Sequence, residues 1–86
     1  MAIKVGIVGY GTIGKRVADA VAMQKDMKLV GVTAHSYSFN TEVAKQKDYK
    51  IFTIDGDNDL KLNGIMPDGD LNNLLDEVDI IVDATP

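Results

Sequence analysis

Eighty-six residues, 45% of them apolar and 26% charged, make one small globular domain at most, and a chain this short buries only about 60–65% of its unfolded surface. The net charge of −4 argues against nucleic acid or an anionic membrane as partner, and no run of about 18 apolar residues offers a membrane span. With no cysteine there is no disulfide, thiolate metal site or cysteine nucleophile in this sequence, and a start that runs straight into an apolar strand without a leader makes a cytoplasmic location the expectation.

The chain opens with an apolar run at residues 3–8, read as a buried strand. Gly9, Gly11 and Gly14 follow as G-x-G-x-x-G, and residues 12–23 then carry helical spacing, with Ile13, Val17, Ala20 and Val21 expected to face a sheet. In that context each glycine has a mechanical reason. Gly9 turns the chain out of the strand, Gly11 leaves room for a pyrophosphate against the backbone, and Gly14 lets the helix pack closely. The helix start offers unpaired N–H groups and a partial positive charge to the same phosphate. Lys15 and Arg16 lie in the first turn, where the dipole alone favours acids. A bound anion explains that inversion, and so do two solvated surface charges.

A polar break at residues 24–26 precedes a second β-rich run at 28–33, which completes a parallel βαβ unit. A polar loop follows, then a thin helical pattern ending near Lys47, capped by Asn40 or Thr41, with Phe39 and Val43 inward. Residues 50–54 read as a third strand. Residues 55–69 are the least regular, with turn signals at Asn63-Gly64 and Pro67-Asp68-Gly69 and room for a short strand or hairpin. Asp70 caps a helix whose Leu71, Leu74, Leu75 and Val78 share one face. Residues 79–83 form a fourth buried strand, and Ala84-Thr85-Pro86 leaves it. The fold class is therefore α/β, part of a Rossmann doubly wound parallel sheet with strand order 3-2-1-4. One wall of the crevice over the first and fourth strands is unbuilt, so the sequence reads as the N-terminal portion of a dinucleotide-binding domain, with no catalytic domain.

The position that holds an acid for the ribose 2′-hydroxyl of NAD, about 20 residues past the glycines, falls near Thr33, followed by Ala34, His35 and Ser36. No carboxylate occurs from residue 29 to 41, so the 2′-phosphate of NADP meets no like charge, and hydroxyls and an imidazole stand ready to bond it. No Arg or Lys lies between Lys28 and Lys45 to match its charge. NADP is slightly favoured, with NAD open. The candidate cofactor-binding residues are Gly9, Tyr10, Gly11, Thr12, Ile13, Gly14 and Arg16 on the loop and first turn, Thr33, Ala34 and His35 after the second strand, and Ala84 and Thr85 after the fourth.

Other constellations fail. Asp55-Gly56-Asp57-Asn58-Asp59 opens like a calcium loop, but Leu60 stands where glycine is needed and Met66 where the bidentate glutamate belongs. One histidine and no cysteine give no zinc spacing. No metal ligand and no catalytic residue is assigned. Asp83 is read either as a group on the ligand-binding edge or as a cap for the next element.

The segments GYGTIGKRVADAV, LVGVT and VDATP together resemble archaeal-type glyceraldehyde-3-phosphate dehydrogenases, over most of the chain and least from residue 34 to 69. The resemblance implies oxidation of glyceraldehyde 3-phosphate to 1,3-bisphosphoglycerate with phosphate and NADP or NAD, in cytoplasmic homotetramers of two-domain subunits. It maps cofactor contacts onto Thr12, Ile13 and the glycines, and turns residues 33–36 toward the adenosine ribose. Relatives tend to carry a lysine just after Thr33, where this chain has Ala34-His35. The family's catalytic cysteine and histidine lie beyond Pro86, so these residues alone are expected to be inactive. The alternatives are another Rossmann oxidoreductase, such as a semialdehyde or homoserine dehydrogenase, or a non-catalytic dinucleotide-binding module.

Overall fold

The computed structural model describes residues 2–35, 37–54 and 58–85. The element order is β1 (Ile3–Val8), α1 (Thr12–Ala22), β2 (Met27–Ala34), α2 (Phe39–Gln46), β3 (Ile51–Thr53), α3 (Asn58–Leu62), β4 (Gly69–Asp70), α4 (Leu71–Glu77) and β5 (Ile80–Asp83). Five strands form one parallel sheet in the order β4-β3-β2-β1-β5. The expected four-strand order holds, and the two-residue β4 extends it on the β3 side. Between β1 and β2 the pairing slips by one residue: Val5 faces Leu29 and Gly6 faces Gly31, leaving Val30 extra on β2.

The sheet is buried on both faces, as continuous apolar strands require. One face carries Val5, Ile7, Val32 and Ile51 with Ala18 and Val21 of α1, Ala44 of α2, Leu60 of α3 and the following Ile65. The other carries Val30, Phe52 and Leu74 of α4. The Phe52 ring lies flat enough on β2 that a Cβ at Gly31 would come within 2.8 Å of its Cδ1.

Three expectations about helix faces need correction. In α1 the buried residues are Gly14, Ala18 and Val21 with Val17 half-buried, whereas Ala20 is exposed and Ile13 is 68% exposed. A glycine carries no hydrophobic signal, so the true stripe through Gly14 is invisible to periodicity. In α2, Phe39 is 77% exposed, and the inward positions are Thr41 and Ala44. That helix starts two or three residues earlier than a cap at Asn40 or Thr41 requires, because Ser38 caps it: the Ser38 N–H donates to Thr41 Oγ1 (2.9 Å), whose hydroxyl donates to Ser38 O (2.6 Å). In α4 only Leu74 is fully buried, and Leu75 is 46% exposed. Asp70 caps α4 as its position requires, accepting from Asn73 N–H at 2.9 Å.

The stretch read as irregular contains α3 and β4. Leu60 and Ile65 anchor it, both buried, with Ile65 N–H donating to Leu60 O (2.9 Å). β4 is fixed to β3 by a reciprocal pair at Asp68. Its N–H donates to Ile51 O (2.8 Å), and its carboxylate accepts from Ile51 N–H (2.9 Å). Asp55-Gly56-Asp57 of the calcium-loop pattern, Ser36 and Pro86 lie outside the described residues.

Candidate functional site

In an open parallel sheet ligands sit beyond the carboxyl ends of the strands, where the strand order reverses. Here that point lies between β2, β1 and β5, and the glycine loop leaves β1 there. Gly9 has φ +92°, a conformation glycine adopts without steric cost. Its N–H donates to Thr33 Oγ1 at 2.9 Å, on the β2 side. On the β5 side, Ala84 N–H donates to Val8 O (2.8 Å), and a Cβ on Gly9 would lie 3.1 Å from Thr85 Cγ2. Gly14 sits directly over this turn. A Cβ there would strike the Gly9 carbonyl, with the carbonyl carbon 3.0 Å away.

Gly11 is the opposite case. It caps α1 in an extended conformation, and its carbonyl accepts the Lys15 N–H at 2.9 Å. A Cβ at Gly11 would meet no atom within 4 Å. The backbone of the cap is therefore accessible to a ligand beside the unpaired amides of the first helical turn. No acid lies in that turn, Thr12, Ile13 and Arg16 are exposed, and Lys15 is half-buried. Lys15 is also near enough to Asp19 to help hold its carboxyl ionised, so part of the basic inversion has a structural partner.

The other expected contacts divide. Tyr10 is 6% exposed and packs edge-on against Tyr49, ring centroids 6.5 Å apart at 85°. Its hydroxyl finds no hydrogen-bond partner among the described residues; burial and the nearby Asp19 raise its pKa. Tyr10 thus offers the loop its main chain, and its ring is an anchor in the core. Thr33 is wholly buried and Ala34 is 8% exposed, so of the three candidates at the end of β2, Thr33, Ala34 and His35, only His35 is exposed. Asp83 closes a local turn: its Oδ1 accepts from Thr85 N–H (3.1 Å) and Thr85 Oγ1 (2.6 Å), which holds its carboxyl below the usual range.

One group escaped the sequence reading. Asp19 accepts from Tyr49 OH (2.8 Å) and Lys47 Nζ (2.6 Å). Burial, then the bond to Asp19, pushes the Tyr49 pKa up to about 12. These residues come from α1 and the α2–β3 turn, about 30 positions apart, with no shared spacing to reveal them.

The fold and the glycine loop at its switch point define a Rossmann-type dinucleotide-binding domain. The family model described as dihydrodipicolinate reductase, N-terminus, matches residues 3–86, and the chain belongs to that family. Among curated proteins it is similar to glyceraldehyde-3-phosphate dehydrogenases of archaea. It is 49% identical to that of Pyrobaculum islandicum over 98% of this chain, 48% to that of Methanobacterium formicicum over 95% and 46% to that of Methanocaldococcus jannaschii over 100%. The chain spans only about a quarter of those relatives' length (25%, 25% and 26%).

Proposed function

We propose that this chain is the N-terminal, nucleotide-binding part of a phosphorylating glyceraldehyde-3-phosphate dehydrogenase, working in a cytoplasmic homotetramer whose catalytic residues lie outside these 86 positions. The observation that carries the reading is Gly11, whose missing side chain leaves the helix cap open to a pyrophosphate. When bound, NADP or NAD supplies the hydride acceptor for aldehyde oxidation. The chain's own residues would hold it. Main-chain amides at Gly11, Thr12 and Ile13 meet the pyrophosphate, Arg16 adds charge beside it, and Ala84 and Thr85 line the β5 wall. In this reading His35 faces the adenosine ribose, and the lack of a carboxylate between residues 29 and 41 supports NADP over NAD.

A second reading, a related reductase, is favoured by the description of the family model, and near-half identity along the whole chain to dehydrogenases weighs against it. The free-standing binding module is disfavoured by β5. Ile80 is 49% exposed on an edge strand that no proline or charge interrupts between Ile80 and Val82.

Fluorescence titration of NADPH and NADH into the full-length protein and its Gly11→Val variant tests the site. The variant should lose at least about tenfold in affinity for both, because its methyls fill the pyrophosphate's place, while the cap change costs only about 1 kcal/mol of stability. Unchanged affinity would remove the site. Reduction of NADP that requires both glyceraldehyde 3-phosphate and inorganic phosphate separates the dehydrogenase from the reductase reading.

A further inference from the structure

We infer that Thr33 is a positioning residue whose hydroxyl holds the glycine loop in its binding shape, and that it takes no part in reading the nucleotide's ribose. The inference rests on the dinucleotide reading of the loop. The β1–β2 ladder ends at the Ile7–Val32 pair, and the β1–β5 ladder at Val8–Asp83. Gly9 is therefore the first residue past the sheet, and its N–H has no strand partner. Thr33 Oγ1 supplies one at 2.9 Å, from a side chain that is 0% exposed. The bond continues the sheet by one rung on the β2 side, at the residue whose φ of +92° sets the loop's exit. The loop is thus held from three directions: Thr33 on one side, Thr85 on the other, and Gly14 lying against the Gly9 carbonyl. A buried oxygen already bonded to Gly9 is not available to a 2′-hydroxyl or 2′-phosphate. Discrimination between NAD and NADP then falls to residues after Thr33.

The test is Thr33→Val, which keeps the shape and removes the acceptor, beside Thr33→Ser, which keeps the oxygen. NADH and NADPH affinities are measured with both variants folded by circular dichroism, and exchange of the Gly9 amide is followed by NMR. The expected result is a loss of about three- to tenfold, equal for the two nucleotides, with faster Gly9 exchange, and recovery of all three in Thr33→Ser. A change in the NADPH:NADH ratio would overturn the inference by showing that Thr33 reads the ribose. Unchanged affinities in Thr33→Val would overturn it by reducing the hydroxyl to packing. Fast Gly9 exchange in the unaltered protein would overturn it without any variant. If the unaltered protein binds neither nucleotide while Gly9 stays protected, the dinucleotide reading itself is what fails, and the inference falls with it.

Discussion

Beyond Val8, Thr33 and Asp83, at the carboxyl end of the sheet, the surface is made of main chain held by short side chains; at the amino end it is made of long charged ones. There Lys4, Lys28 and Lys50 enter or precede the first three strands and, with Asp48, Asp76 and Glu77, line a cleft of about 530 Å³. The charges of both signs in that cleft sit on flexible, exposed stems. Ordering them around a ligand costs rotamer entropy and gains little from screened Coulomb attraction. The carboxyl end instead offers a main chain already fixed at Gly9 by Gly14 and Thr33. Preorganisation is what distinguishes the carboxyl end from the amino end.

Substitutions at the two ends should separate on that basis. The largest effect is expected for Gly14→Ala. Its Cβ meets backbone at Gly9, which cannot rotate away, so helix and loop must part at a cost of about 2–3 kcal/mol. Urea denaturation together with NADPH titration should show stability and affinity falling together, and a stable variant with native affinity would break the comparison. At the amino end, Tyr49→Phe removes the bond to Asp19 and should cost about 1 kcal/mol with no change in nucleotide affinity. The folded state raises the Tyr49 pKa from 10.0 to about 12. Its contribution is therefore complete below pH 10 and is lost as pH rises from 10 to about 12. The native protein should lose stability across that window more steeply than the phenylalanine variant, and parallel curves would show that the phenol is not coupled to folding. The smallest effect is a gain. Asp48 is left-handed (φ 64°) just past α2, with its N–H donating to Lys45 O and that of Tyr49 to Ala44 O, both at 3.0 Å, in a Schellman turn. Asp48→Gly should raise the denaturation midpoint by the equivalent of about 0.5 kcal/mol and leave binding untouched. A loss would mean that the carboxylate supports the charged cleft.

The half of the fold around the glycine loop was legible because its determinants are local. Continuous apolar runs mark β1, β2 and β5, and the glycine spacing marks the turn between β1 and α1. What escaped depends on partners distant in sequence. α3 shows through Leu60 and Ile65 alone, and β4 through a reciprocal bond to Ile51 that no pattern announces. Within the site, sequence put Thr33 near the loop but gave no sign of its bond to the Gly9 N–H. The bond to Gly9 spans 24 residues and becomes visible only once β1 and β2 are paired.

The two walls that flank Gly9 also differ in when the chain can build them. The Thr33 wall closes a loop of 24 residues, whereas the β5 wall waits on a closure of 75, as in the Lys4–Asp79 bond. Chain entropy makes the longer closure dearer by about 1 kcal/mol. On that ground the glycine turn and its β2 shoulder are expected to assemble first, as a local unit. β5 is then expected to dock onto a loop already shaped and to be the first wall to open transiently, so its amides should exchange faster than that of Gly9.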